Sequence, residues 1–131
     1  MAFIRVESDG PVRTVTMTRS EKRNALNEEM LDQMEAAFKA EPPKEERLLV
    51  LRAEGPSFGS GLDLTQRQES LGRPSPIEDM LRALENYPLP TVGVVQGDAI
   101  AGGNELALHC DFVIASETAR FAMPLPQIGL S

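Results

Sequence analysis

The sequence predicts an α/β fold built on parallel strands. Short stretches rich in Val, Ile and Leu alternate with amphipathic stretches, in the order hairpin, helix, strand, helix, strand, helix, strand. The run Leu48-Leu49-Val50-Leu51 is unbroken and apolar, as expected of a strand buried on both faces. Proline pairs and glycine clusters mark where each element stops.

The elements follow in order. Phe3 to Glu7 and Val12 to Thr18 flank Ser8-Asp9-Gly10-Pro11, a turn signal between two strands, so a β-hairpin is expected. In its second strand Arg13, Val15 and Met17 alternate with Thr14, Thr16 and Thr18, the pattern of one face more buried than the other. Asn27 is a good N-cap, and Glu28 and Glu29 then suit a first helical turn. Leu31, Met34, Ala37 and Phe38 form the apolar stripe of that helix, which must stop before Pro42-Pro43. Gly55 to Gly61 and Gly72 to Pro76 read as loops. Pro76 to Glu85 reads as a helix with Ile77, Met80, Leu81 and Leu84 on one side. Thr91 to Gln96 is a second buried strand, with Val92, Val94 and Val95. Gly97 to Gly103 reads as a turn, Glu105 to His109 as a short helix, and Phe112 to Ala115 as a third strand.

Composition bounds the function. With 131 residues the chain suits one domain of ordinary size. It carries 13 Lys and Arg against 20 Asp and Glu, a net charge of −7. Phosphate-backbone binding needs the opposite field, so nucleic acid is a poor partner. A single cysteine, Cys110, excludes an internal disulfide and a four-thiolate zinc site. Cys110 reads as a small buried hydrophobe and the single histidine, His109, as structural; no metal site is expected. Met1 to Asp9 lacks the apolar core of a signal peptide, and no apolar run is long enough to span a bilayer. The expected setting is the cytoplasm.

Two segments are unusual enough to carry chemistry. Phe58-Gly59-Ser60-Gly61-Leu62-Asp63-Leu64 follows the Leu48 strand, and Gly97-Asp98-Ala99-Ile100-Ala101-Gly102-Gly103-Asn104-Glu105-Leu106 follows the Thr91 strand. Each leaves a strand through glycine toward a helix. Such turns can leave backbone N–H groups free, and two of them aimed at one point stabilise a developing oxyanion. Glycines that merely close tight turns are the plain alternative. Neither segment is a dinucleotide fingerprint or a Walker loop.

Together with Glu21-Lys22-Arg23-Asn24-Ala25-Leu26-Asn27 and Cys110-Asp111-Phe112-Val113-Ile114-Ala115-Ser116-Glu117-Thr118-Ala119-Arg120-Phe121, these segments resemble the crotonase family, the enoyl-CoA hydratases and isomerases. The resemblance runs from Phe3 to Ser131. It implies a spiral of β-β-α units, with residues 1–131 as one incomplete crotonase-type domain truncated before the C-terminal helical region. It implies an acyl-CoA thioester as partner, with no cofactor beyond the CoA moiety of the substrate. Fatty acid metabolism is the implied setting, and a homotrimer or dimer of trimers the implied assembly of a full-length chain.

The resemblance also assigns residues. The thioester carbonyl would accept the backbone N–H groups of Leu62 and Gly102. Glu105 would be the acid/base, matching the first of two hydratase glutamates. Lys22, Arg23 and Ala25 would lie near the CoA diphosphate and adenine, with Ser60 and Gly61 along the adenine and pantetheine channel. Asp63 reads instead as a helix cap. The position of the second family glutamate holds Leu125, and Gln127, two residues on, is not ionisable. The sequence therefore departs from the two-carboxylate pattern. Two further readings stand beside the enzyme: an acyl-CoA binding homologue with weak or no hydratase activity, and a structural or regulatory fragment that needs a partner chain.

Overall fold

The computed structural model describes residues 1–63 and 76–123. The hairpin forms as the sequence predicts. Strands β1 (Ile4–Asp9) and β2 (Val12–Met17) pair antiparallel, with Asp9 opposite Val12. Gly10 closes the turn at φ 58°, a left-handed conformation that costs glycine little. The expected alternation along β2 holds only in part. Val15, Thr16 and Met17 are all buried, because β2 lies inside the sheet and its last residues are covered on both faces.

Helix α1 (Glu28–Lys39) starts and stops where the sequence places it. The Asn27 side chain accepts the Met30 N–H at 2.8 Å, and Met30, Leu31, Met34, Ala37 and Phe38 point into the core. Strand β3 (Leu48–Ala53) then runs parallel to β2. Its burial is more one-sided than the apolar run implies: Leu49, Leu51 and Ala53 are buried, Leu48 and Val50 half-buried, and Arg52 exposed. An unbroken apolar run does not say what covers its second face.

Helix α2 (Pro76–Glu85) packs against α1 through a stripe that includes Met80, Leu81 and Leu84. Strand β5 (Thr91–Val95) pairs parallel to β3. Here Thr91, Gly93 and Val95 are the buried residues, while Val92 and Val94 are half-buried, so of the three valines expected inside only Val95 is fully enclosed. Strand β7 (Phe112–Ala115) is parallel to β5 and ends the sheet, in the order β1-β2-β3-β5-β7. All four of its residues are exposed.

A second sheet was not anticipated. Residues read as loop and turn form β4 (Ser57–Gly59) and β6 (Asp98–Ile100), and these pair parallel with β8 (Phe121–Ala122) in the order β4-β6-β8. Strands of two or three residues that pair only with distant partners leave no periodicity to read. Helix α3 (Gly102–Leu108) leaves β6 and begins three residues before Glu105, inside the expected turn. Glycine is a poor helix former, yet Gly103 is required here. A Cβ on it would overlap the Gly59 carbonyl of β4, so the close approach of α3 to the second sheet depends on a bare backbone.

Two polar features brace the periphery. The Tyr87 hydroxyl donates to buried Glu46, and Arg13 lies 3.8 Å from the same carboxylate. Burial, and then the hydrogen bond to Glu46, push the Tyr87 phenol above its ordinary range. Cys110 sits beneath β5, where a Cβ on Gly93 would come within 3.2 Å of its Sγ. Burial pushes that thiol up to about 12, with the Asp111 charge adding to it. Cys110 is thus the small buried residue expected of it. The His109 ring Nδ1 is 2.7 Å from the Glu105 carbonyl oxygen at the end of α3.

Candidate active site

The two glycine turns meet. Leu26 and Leu62 form a parallel bridge, in which the Leu26 N–H donates to the Gly61 carbonyl at 2.8 Å and the Asp63 N–H to the Leu26 carbonyl at 2.9 Å. That pattern uses the neighbours of Leu62 and leaves the Leu62 N–H outside the bridge. The chain reaches this point through Gly61 at φ 101°. A Cβ on Gly61 would come within 3.3 Å of the Ala101 side chain and 3.6 Å of the Gly102 nitrogen, so the turns are in van der Waals contact. Gly102 opens α3, where the first N–H groups have no acceptor within the helix. Among the described residues, no backbone acceptor takes the N–H of Leu62 or of Gly102.

Ala101 sets the direction of the second turn. Its φ is 50° and its ψ −111°, and no side chain caps the helix it precedes. A non-glycine residue held there stores about 1–3 kcal/mol of backbone strain. The Ala101 N–H donates to the Ala122 carbonyl of β8 at 2.7 Å, which ties the strained turn to the second sheet.

A cavity of about 650 Å³ opens beside the two turns. Ser60, Gly61 and Leu62 line one side and Ile100, Ala101, Gly102 and Glu105 another. Ile77, Glu78 and Leu81 of α2, with Met123 after β8, complete the wall. It is roomier than the cavities beside Phe38, about 400 Å³, and beside Arg13, about 230 Å³. Its size and its mostly apolar wall with few polar groups suit an organic ligand. Glu105 stands in the first turn of α3, half-buried.

Of the residues picked from sequence, Ser60, Gly61, Leu62, Gly102 and Glu105 come together at this cavity. Lys22, Arg23 and Ala25 are not among its lining residues. Lys22 ends a short 3₁₀ turn, and Arg23 follows it in the left-handed region at φ 53°, both exposed. Their loop reaches the first glycine turn through the Ser60 N–H, which donates to the Arg23 carbonyl at 3.1 Å. Asp63 pairs with Arg19 at 2.9 Å; the segment that it was read as capping, and Leu125 and Gln127, lie outside the described residues.

Sequence reasoning missed three things. Buried Asn24, at φ 57°, accepts the Arg19 N–H at 2.9 Å and donates to the carbonyls of Glu54 at 3.0 Å and Ser57 at 2.9 Å. It locks the loop beneath the first glycine turn, and the signal was available, since Asn tolerates left-handed backbone. Asp98 and Arg120 form a two-pronged pair, at 3.0 and 2.8 Å, that clamps β6 to the approach to β8. Arg120's hydrogen bonds hold the Asp98 carboxyl below its usual range. The third is the α2 wall of the cavity, which no local pattern announces.

The chain belongs to the enoyl-CoA hydratase/isomerase family, whose sequence model matches residues 7–131. It is 31% identical over 120 residues to the probable enoyl-CoA hydratase echA6 of Mycobacterium bovis, covering 92% of this chain and 49% of that protein. It is 34% identical over 149 residues to the enoyl-CoA isomerase/hydratase fer4 of Mycosarcoma maydis, covering 99% of this chain and 54% of that protein. Among solved structures it superposes on a probable enoyl-CoA hydratase from Mycobacterium smegmatis with a TM-score of 0.82 and 33% identity, over 95% of this chain and 53% of that one. The chain thus spans about half the length of the relatives it matches, and its fold is that of the matched half. Among the described residues no helix is long and apolar enough to cross a membrane.

Proposed function

We propose that this chain acts on an acyl-CoA thioester, with Leu62 and Gly102 supplying the oxyanion hole and Glu105 the acid/base. The observation that carries this reading is the meeting of the two glycine turns beside one cavity, with both N–H groups outside the backbone hydrogen-bond network and a carboxylate one helical turn away.

The chemistry follows from that arrangement. Two N–H donors on the thioester carbonyl oxygen stabilise the enolate-like charge that forms when a proton leaves, or a nucleophile adds near, the α-carbon. Losing one such donor typically costs about 2.7–4 kcal/mol of barrier. Glu105, in the first turn of α3 and lining the same cavity, is proposed to move a proton between the substrate carbon and solvent. The apolar wall of Ile77, Leu81, Ile100 and Met123 suits an acyl chain. Lys22 and Arg23 are exposed cations on the loop joined to Ser60 and are proposed to meet the CoA phosphates, with Ala25, Ser60 and Gly61 along the cofactor arm. Lyase and isomerase steps share this enolate. The cytoplasmic setting, a role in fatty acid metabolism and the trimeric assembly belong to the same proposal.

The test is crotonyl-CoA hydration, followed as loss of the conjugated enone absorbance, with Glu105→Gln alongside. The expected outcome is turnover that falls roughly 10²–10⁴-fold in the variant, with crotonyl-CoA still bound. Turnover unchanged in Glu105→Gln would remove Glu105 from the mechanism. Saturable acyl-CoA binding without turnover in either protein would favour the second reading, a binding homologue, which Leu125 at the second glutamate position supports.

A further inference from the structure

The cavity holds a second carboxylate. Glu78, in the first turn of α2, lines it together with Glu105 of α3, and these are the two ionisable side chains among its described lining residues. Neither carboxylate has a hydrogen-bond or ion-pair partner among the described residues. Arg82, the basic residue in the last turn of α2, is 3.8 Å from Asp79 rather than on Glu78. Ile77 and Leu81 lie beside Glu78 on the same wall, so among the described α2 residues lining the cavity this is the one polar group. Glu78 is exposed at the rim, whereas Glu105 is half-buried beside the Gly102 turn. The two carboxylates thus reach one cavity from different helices, one from the solvent rim and one beside the Gly102 turn, which suits an acid and a base with divided tasks.

We infer that Glu78 is a second catalytic carboxylate, facing the substrate from α2 in place of the glutamate that the family pattern would put at Leu125. The inference rests on the reading of the site as an acyl-CoA enzyme. In hydration of an enoyl thioester, the Glu78 carboxylate takes a proton from water as the water oxygen bonds to the β-carbon. The π electrons move through the α-carbon to the thioester oxygen, held by the N–H groups of Leu62 and Gly102. The enolate then collapses as the Glu105 carboxylic acid gives its proton to the α-carbon. One water is added, and the proton left on Glu78 returns to Glu105 through solvent. The exposed rim position of Glu78 gives it the bulk water that its half of the reaction consumes.

The experiment uses the 131-residue chain with two substrates. Crotonyl-CoA reports hydration, which needs both carboxylates. Deuterium exchange at the α-carbon of butyryl-CoA in heavy water reports the Glu105 half alone. Glu78→Gln is expected to lower hydration kcat roughly 10²–10⁴-fold while leaving exchange and butyryl-CoA affinity near wild type, and Glu78→Asp to recover part of the loss. Glu105→Gln is expected to lose both reactions. Hydration at the wild-type rate in Glu78→Gln would overturn the assignment. Parallel loss of hydration, exchange and binding in that variant would overturn it too, since that is the pattern of a structural residue. A wild-type chain inert toward both substrates would overturn the parent reading, and Glu78 with it. A wild-type chain that exchanges but does not hydrate would overturn Glu78 alone.

Discussion

Helices α1 and α3 begin in opposite ways. At α1 the chain arrives extended, Asn27 caps the Met30 N–H, and Glu28 and Glu29 meet the positive end of the helix dipole. At α3 the chain arrives through Ala101 in a strained conformation, no side chain caps the helix, and two buried glycines follow. One terminus satisfies its own donors and the other withholds that satisfaction. The same strand-side fold can hold both because the cost at α3 is local. It is carried by the Ala101–Ala122 hydrogen bond and the close seat of Gly103 on Gly59. A start that gives up stability beside a cavity marks where chemistry is expected, and a fully capped start marks scaffold.

That contrast can be broken most severely at Gly103. Gly103→Ala puts a methyl into the Gly59 carbonyl, backbone against backbone, so neither side can yield by rotating a side chain. We expect a loss of about 3 kcal/mol or more in urea unfolding, with thioester turnover lost as α3 is pushed from the second sheet. The next effect lies beyond the other end of α3 and is driven by pH. The Cys110 thiol stays protonated in the folded chain up to about 12, against 9.0 as its ordinary value. Between those values the unfolded chain has released a proton that the folded chain keeps. The unfolded state therefore binds fewer protons, and stability falls as pH rises above about 9. Tyr87, also raised, acts in the same direction from about pH 10. Unfolding midpoints measured from pH 8 to 11 should decline, and Cys110→Ser should flatten the first part of the decline.

Smaller effects sharpen the comparison. Asn27→Ala removes the cap of α1 and should cost about 1 kcal/mol, with turnover per folded molecule unchanged. Ala101→Gly relieves the strained backbone at α3 and should add up to about 1 kcal/mol of stability while lowering turnover, because the released turn no longer fixes the Gly102 N–H. Stability and activity should thus move together when α1 is changed only through the folded fraction, and in opposite directions when α3 is changed. Urea titration alongside the crotonyl-CoA assay would read both.

The capped half of that contrast was legible in the sequence, and so was the existence of the other half. Asn27, the Leu31–Phe38 stripe and Pro42-Pro43 define α1 by local rules, and Asp9-Gly10 defines the hairpin. The two glycine segments stood out by composition and spacing, and Glu105 by resemblance. What was not legible depends on distant partners. The β4-β6-β8 sheet consists of strands too short for a pattern, and β6 and the start of α3 share glycine-rich residues that locally read as a turn. The wall of Ile77, Glu78 and Leu81 exists only once α2 has packed on α1 and turned its first residues toward α3. In β5 the apolar run suggested burial throughout, but the fully buried set is Thr91, Gly93 and Val95, and neither the threonine nor the glycine carries the hydrophobicity that would reveal it.

Gly93 has one more effect. By giving up its own side chain it makes the recess in which the Cys110 sulfur is enclosed. A thiol that is both shielded and protonated is almost unreactive toward disulfide reagents while the chain is closed. The rate at which such a reagent labels this single cysteine therefore counts opening events of the β5 seam. The molecule contains its own stopwatch for local unfolding, readable with a coloured leaving group and no added probe.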